Sequence, residues 1–394
     1  MRSMSEALRI LVGANVSPDP NAGASGTVWQ MNAALRRRGH QVDEIWSDAL
    51  GRRIQHGNLH YLLELPRAYR REVRKAFQRQ LYDVVELNQP HACLAARDHQ
   101  EHRRPGVFVN RSHGHETRSE EDLQHWRKAE GVPPNRGLRG IASDVIQSLL
   151  DRQWRDIARR ADGFIVSCTQ DAEFLKARYH VSADRIGCIT QGVPQVFLDQ
   201  PAVPMTGERL RRLLYVGQLA FFKAPAVVAD SVNRILAAQP NATMTWVCGT
   251  AHHAAVRQML ESAIRDRVTL VNGMDQVQLQ SVLDSHGIFL FPSYFEGFGK
   301  APLEAMSRGL CVVATAAGGM KDYIDHGVSG FLVEPGQPEQ VQLAALRLME
   351  DSGLAIRISQ AARETAERHT WDRCAADAEA FYRFLLDRKR TAHG

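Results

Sequence analysis

The chain runs to 394 residues, of which 44% are hydrophobic and 24% charged, with a formal net charge of +5. That length excludes a single small domain and suits two domains that can each bury a full core. The six cysteines, Cys93, Cys168, Cys188, Cys248, Cys311 and Cys374, stand singly, which argues against a disulfide framework or a Cys-x-x-Cys metal site and fits a reducing cytoplasm.

The polar lead into the apolar run at 8–13 is too short and wrongly flanked for a signal peptide. No apolar run approaches a membrane span, so the expectation is a cytoplasmic protein, soluble or attached only to a membrane surface. Short apolar runs alternate with helical patterns along the whole chain, which predicts doubly wound α/β architecture in both halves. First-half strands are predicted at 8–13, 41–46, 83–87, 106–110, 163–167 and 185–189.

After the first strand comes Asn21-Ala22-Gly23-Ala24-Ser25-Gly26-Thr27, leading into a helix that ends at Arg38-Gly39-His40. Gly23 and Gly26 allow a ligand close to the backbone; a plain strand-to-helix turn is the alternative. The stretch lacks the Gly-x-Gly-x-x-Gly spacing of a dinucleotide site, so a dehydrogenase has little support.

The net positive charge falls within residues 1–205 and is densest at 51–80, where Arg52, Arg53, Arg67, Arg70, Arg71, Arg74, Lys75 and Arg79 oppose only Glu64 and Glu72. Leu62, Leu63, Leu65, Tyr69, Val73 and Phe77 give this segment an apolar side. It reads either as a surface for anionic lipid headgroups or as an ordinary solvated helix face. Nucleic acid is not an expected partner, because no aromatic stacking platform accompanies the charge.

The strand at 106–110 runs into Asn110-Arg111-Ser112-His113-Gly114-His115-Glu116. An imidazole at His113 could hydrogen-bond a substrate or steady developing charge, with Arg111 or Arg118 to help. A structural histidine is one alternative, and a metal-dependent hydrolase built on His113 and His115 is another, with His91, His99 and His102 as further donors. Neither a His-Glu-x-x-His helix nor an aspartate at a familiar spacing completes such a metal site.

The stretch 199–207 holds two prolines and neither periodicity, so the interdomain linker is placed there. It divides the chain into domains at 1–200 and 207–370, with a last segment at 371–394. Second-half strands are predicted at 212–216, 243–248, 268–271, 287–291, 310–314 and 330–333.

The most informative stretch is Phe291-Pro292-Ser293-Tyr294-Phe295-Glu296-Gly297-Phe298-Gly299-Lys300-Ala301-Pro302-Leu303-Glu304. A buried parallel strand precedes it, and Pro302 suits the first position of the helix that follows. Gly297 and Gly299 admit a ligand to the backbone, and the open N–H groups of the helix start favour a phosphate. Two carboxylates beside a phosphate cradle suit sugar hydroxyls, which they accept hydrogen bonds from. A nucleotide-sugar site combines these parts; a solvated loop glutamate and a first-turn acid are the alternative.

Glu-Gly-Phe-Gly-Lys-Ala-Pro-Leu-Glu resembles the E-x7-E signature of retaining family 4 glycosyltransferases, the glycosyl transferases group 1. The likeness continues through Ala305-Met306-Ser307-Arg308-Gly309, the strand at 311–315, Gly318-Gly319 and the run from His326 to Val333. The resemblance implies the GT-B fold, two Rossmann-like doubly wound domains facing a central cleft, with the helical pattern at 371–386 as the carboxy-terminal helix that crosses back. It implies donor contacts from Glu296 to hydroxyls of the transferred sugar and from Glu304 to the ribose, with N–H groups of Gly297, Phe298 and Gly299 near the diphosphate.

Gly217-Gln218-Leu219-Ala220-Phe221-Phe222-Lys223-Ala224 resembles the family's Gly-Arg-Leu-x-x-x-Lys-Gly. Lys223 matches the lysine that neutralises the donor diphosphate. Gln218 replaces the arginine by a neutral amide, and Ala224 replaces the glycine. By the same resemblance His113 matches the His-Gly turn near the bond being broken, and Gly23 and Gly26 belong to the loop facing the cleft. The region from Trp126 to Asp151, including Pro133-Pro134 and Arg136 to Arg139, reads as an elaboration that shapes the acceptor pocket, and Asn272-Gly273-Met274 as neighbours of the base.

The family likeness implies transfer of a sugar from a nucleoside diphosphate sugar to a saccharide or lipid-linked saccharide hydroxyl, with retention, no cofactor and no metal. Catalytic roles fall to Glu296, Lys223 and His113. A glycosidase would need no lysine beside a glycine loop. A catalytically weak nucleotide-sugar-binding protein of the same fold stays open because of Gln218.

Overall fold

The computed structural model describes residues 6–20, 23–133 and 138–392. Asn21 and Ala22 of the glycine-rich stretch, and Pro134 to Gly137 of the 126–151 region, lie outside the described residues. Each of the twelve predicted strands is present. The chain divides into two compact units, one of Met1–Glu121, Arg127–Gly192 and Trp371–Gly394, the other of Asp122–Trp126 and Val193–Thr370.

The first unit holds β1 (Arg9–Gly13), β2 (Gln41–Ile45), β3 (Val84–Asn88), β4 (Val107–Ser112), β5 (Gly163–Val166) and β6 (Ile186–Cys188). They form one parallel sheet in the order β2-β1-β3-β4-β5-β6. Every residue of β3 and β4 is buried, as expected of parallel strands covered on both faces. Alternation sends Leu11 to one core and Ile10 and Val12 to the other. Chain direction reverses between β1, whose next strand lies on one side, and β3 on its other side. That gap is the topological switch point, where open α/β sheets bind ligands at the carboxyl ends of their strands.

The helix Trp371–Thr391 packs into this unit through Trp371, Cys374, Tyr382 and Leu385. Gly163 and Gly187 make room for it, since a Cβ at either would meet Leu385 or Phe381 at 2.4 to 3.0 Å.

The basic segment folds mostly into the unit. Its helix Leu65–Arg79 buries Leu65, Tyr69 and Val73 in the unit's own core, with Leu62 buried just before it and Phe77 packed against the same cluster. Most of the apolar side proposed for lipid is therefore covered by protein, while Leu63 stays 43% exposed. Arg74 pairs with Asp98, and Arg71 and Lys75 with Glu72. Among the described residues no helix is long and apolar enough to cross a membrane.

The second unit holds β7 (Arg212–Val216), β8 (Thr243–Val247), β9 (Val268–Val271), β10 (Ile288–Phe291), β11 (Cys311–Thr315) and β12 (Phe331–Val333), parallel in the order β12-β11-β10-β7-β8-β9. Its switch point lies between β7 and β10. The stretch read as a linker is strapped to this unit. Arg308, 1% exposed, donates to the carbonyls of Phe197, Gln200 and Pro201 at 2.8–3.0 Å and pairs with Asp284. Arg363 donates to Leu198 O at 3.1 Å. Two guanidinium groups thus satisfy backbone that has no ladder of its own, and the long run of this unit starts at Val193.

Candidate active site

In the second unit the chain leaves β7 through Gly217, where a Cβ would fall 2.6 Å from the Tyr215 hydroxyl. Gln218 is exposed. A short turn at Phe221–Lys223 ends on Ala224, whose φ of 50° and ψ of 54° lie in the left-handed region. A glycine would adopt that conformation freely. Pro225 then opens the helix Pro225–Ala238.

This turn aims Lys223 at the loop leaving β10. Its Nζ lies 2.6 Å from Glu296 Oε1, and 4.5 Å from the centre of the Phe291 ring. The side chains of Lys223 and Glu296 are 16% and 10% exposed. The Tyr294 N–H donates to Phe222 O at 2.8 Å, so backbone also joins the two loops.

Gly318 and Gly319 support the Glu296 loop from behind. Gly318 has a φ of 56°, and a Cβ there would lie 2.2 Å from Glu296 O. The Gly319 N–H donates to Gly297 O at 3.2 Å. Gly299, at a φ of 85°, precedes the helix Lys300–Ser307, and the Tyr323 hydroxyl donates to its carbonyl at 2.5 Å. Pro302 is therefore the third helical residue and not the first; it still falls in the first turn, where an N–H has no intrahelical partner to lose.

Glu304 is buried one turn further on, 3.8 Å from Lys300 Nζ. Burial raises its carboxyl pKa, and Lys300 works against that rise. Tyr323 is pushed well above a phenol's ordinary value by burial and by the charges of Glu296 and Glu304. The same hydroxyl environment thus links both glutamates. Asn272, just past β9, accepts from the Thr250 N–H at 3.3 Å.

The first unit carries a cavity of about 330 Å³ at its own switch point. It opens at the carboxyl ends of β1, β3 and β4, where Asn15, Asn88 and His113 line it. His113 Nε2 lies 3.0 Å from Asn88 Nδ2. Glu116 also lines the cavity; burial pushes its carboxyl up to about 8, against a hydrogen bond from Trp154 Nε1 at 3.2 Å. Gly26 is pressed against the Pro20 carbonyl, which a Cβ would meet at 2.6 Å, while a Cβ at Gly23 would meet nothing within 4 Å. A larger cavity of about 1130 Å³ lies beside Arg9, Gln41, Asp83 and Gly106, where the strands begin. That is the wrong edge of a parallel sheet for the chemistry.

Three sequence readings change here. Arg111 is engaged elsewhere: its guanidinium donates to Glu86 at 2.7 and 3.0 Å, and the Tyr382 hydroxyl donates to the same carboxylate at 2.5 Å. Burial disfavours the Arg111 charge, but Glu86 outweighs it and raises the pKa. Arg118 pairs with Asp171 at 2.7 Å. His115 is stacked on Trp154 at 3.9 Å, and burial drives its pKa down to about 3. It is a core aromatic, so it does not make a metal pair with His113. Among the described residues no three His, Cys, Asp or Glu side chains form a metal-holding cluster.

Sequence reasoning passed over Asn88, Gln89, Tyr215 and Tyr323. Asn88-Gln89-Pro90 directly after an apolar run was the available signal for the first two. Trp126, counted with the elaboration, instead stacks on Tyr294 at 4.7 Å and 9°, whereas Ile146 and Leu150 of that region do line the first-unit cavity.

Residues 200–365 match the family described as Glycosyl transferases group 1, and residues 22–195 match Glycosyltransferase Family 4. The D-inositol 3-phosphate glycosyltransferase of Thermobispora bispora is 26% identical over 283 residues, 68% of this chain and 63% of that protein, so the match spans a little under two thirds of the relative. Among solved structures, sucrose-phosphate synthase from Thermosynechococcus elongatus is similar at 20% identity and a TM-score of 0.74, over 96% of this chain and 99% of that one. Anabaena HepE in complex with UDP-glucose is similar at 19% identity and a TM-score of 0.66, over 95% and 99%. These likenesses show the GT-B fold. With its two halves matched in turn from residue 22 to residue 365, the chain belongs to the family 4, group 1 glycosyltransferases.

Proposed function

We propose that this protein is a retaining glycosyltransferase that moves a sugar from a nucleoside diphosphate donor to a hydroxyl acceptor. The observation that carries the reading is the Lys223–Glu296 pair at 2.6 Å, set at the β7/β10 switch point beside a glycine loop and a helix start. The diphosphate would take Lys223 as its counter-ion and the N–H groups of Gly297 to Gly299 as donors. Glu296, released from Lys223, would then accept from hydroxyls of the sugar, and Glu304 from the ribose. Gly217 lets the strand end approach the donor, and the Gln218 amide can donate to it without charge.

No side chain need attack the sugar. The departing diphosphate accepts the acceptor's proton on the face it leaves, and the protein supplies position and charge. His113 at the first-unit cavity would orient the acceptor side, and Gly26 keeps that loop close to Pro20. This scheme calls on no divalent metal and no cofactor, because Lys223 and backbone dipoles do the neutralising. HepE was solved with UDP-glucose, which makes uridine diphosphate sugars the first donors to try. The absence of the family arginine at Gln218 favours a second reading, nucleotide-sugar binding with little transfer.

The test is a melting-temperature screen against uridine, guanosine and adenosine diphosphates and their sugars, followed by transfer assays in EDTA with the product's anomeric configuration read by NMR. A nucleotide-dependent rise and a retained configuration are expected. Tight binding without transfer or donor hydrolysis would select the second reading. A folded protein that responds to no nucleotide sinks both.

A further inference from the structure

The geometry points to an amphipathic alcohol as the ligand of the first-unit cavity: a hydroxyl-bearing head on its polar floor and an apolar tail running out over the helix Leu138–Arg160. The inference rests on the transferase reading and names the class of acceptor.

The floor is built for a hydroxyl. Gln89 has a φ of 64° and a ψ of 175°, a backbone region that is almost the preserve of glycine and that persists only where the surroundings enforce it. They do so here: its N–H donates to Arg111 O at 3.0 Å, and Asn110 Nδ2 donates to its carbonyl at 2.8 Å. The strained residue and its neighbour line the cavity. Asn88 is 6% exposed and its Oδ1, like Gln89 Oε1, is buried with no hydrogen-bond partner among the described residues. Native proteins rarely leave such atoms unsatisfied. A hydroxyl both donates and accepts, so it satisfies these amides whichever way each is turned.

The walls are apolar. Val16, Val28, Tyr61, Leu62, Ile146 and Leu150 supply them. The same helix also carries Ile141, Val145 and Leu149, which are 62%, 53% and 39% exposed. Their spacing of four puts them on one stripe, about a third of the way round the helix from Ile146 and Leu150. Single exposed apolar side chains are ordinary, but an apolar stripe on the helix that walls the cavity gives a tail further apolar surface to lie against.

The charge excludes an anionic head. Among the described residues that line the cavity there is no lysine or arginine; of its basic side chains, His91 is pushed down to about 4 by burial, and His113 sits against Asn88. A phosphate would find no permanent cation there. The cavity therefore departs from what the name of the inositol 3-phosphate relative suggests for that protein, and its volume of about 330 Å³ suits a head the size of one sugar.

The test uses the full chain with n-octyl β-D-glucoside below its micelle-forming concentration, glucose and glucose 6-phosphate, read by calorimetric titration. Octyl glucoside should bind at least about tenfold tighter than glucose, and glucose 6-phosphate no tighter than glucose. Leu150→Asp and Gln89→Ala should each weaken octyl glucoside about tenfold while leaving the melting response to nucleoside diphosphate intact. Ile146→Thr replaces Leu150→Asp should circular dichroism show that variant unfolded. Tightest binding of glucose 6-phosphate, or wild-type affinity in the variants, overturns the inference and leaves the transferase reading standing. Octyl glucoside binding as stated in a protein that ignores every nucleotide would keep this site and remove the transferase.

Discussion

Lys223 Nζ lies 2.6 Å from Glu296 Oε1, a contact that joins the loops leaving β7 and β10 across 73 positions of sequence. Both side chains are largely out of water, so deleting one strands the charge of the other. Lys223→Ala and Glu296→Ala should each destabilise the fold by about 1–3 kcal/mol. The double variant should lose less than the sum, with a coupling of about 1 kcal/mol or more. Urea denaturation of the four proteins measures this. Strict additivity would mean the pair is not an energetic unit. Transfer should fall by about 10²–10³ in Lys223→Ala, since the developing diphosphate charge loses its counter-ion.

Glu116 supplies a pH dependence. Its carboxyl is raised from 4.5 to about 8 by burial. A group whose folded pKa lies above its unfolded one gives stability that is complete below the unfolded value and is lost as pH rises through the folded value. The loss should run between about pH 4.5 and 8 and reach at most about 5 kcal/mol. Glu116→Gln, which can still accept from Trp154, should flatten that part of the profile. Parallel melting curves of wild type and variant across this window would contradict it.

The central strands were legible because both sheets are parallel and covered on both faces there, so strands such as β10 and β11 read as apolar runs between polar turns, while the outer strand β2 showed through alternation. Lys223 and Glu296 were legible as positions, through spacing to neighbouring glycines. Their direct contact was not, because nothing local joins residues on separate loops. Arg111 shows the limit most plainly. Two residues before His113 in sequence, it is held by Glu86 and Tyr382, which come from distant segments. The chain at 199–207 looked like a linker because it lacks periodicity, and it is held by Arg308 and Arg363, whose roles no local pattern encodes. The turn at Asn88-Gln89-Pro90 could be read from sequence, but the positive φ of Gln89 could not, since residues other than glycine seldom enter that backbone region.

Gly318→Ala tests the support behind Glu296. The added methyl would need to occupy space 2.2 Å from the Glu296 carbonyl at a φ of 56°. The loop must shift, at a cost of about 1–3 kcal/mol. Because the displaced residue is Glu296, transfer should drop at least about tenfold, with kcat falling more than KM changes. A variant with wild-type kcat would show that the loop position is not critical.

Arg111 separates a stabilising role from a catalytic one. It is 4% exposed and forms a buried cluster with Glu86 and Tyr382 of the last helix. Arg111→Ala leaves the Glu86 carboxylate buried without its cation, which costs about 3–5 kcal/mol. Replacing both partners by neutral residues of similar size, Arg111→Met with Glu86→Gln, should recover most of that loss, because no charge is then stranded. In protein kept folded at low temperature, kcat of Arg111→Met/Glu86→Gln should stay within about threefold of wild type, well short of the 10²–10³ expected when transition-state charge loses a donor. Urea midpoints and kcat for the single and double variants decide the matter. A large fall in kcat with an unchanged midpoint would return Arg111 to the side of His113.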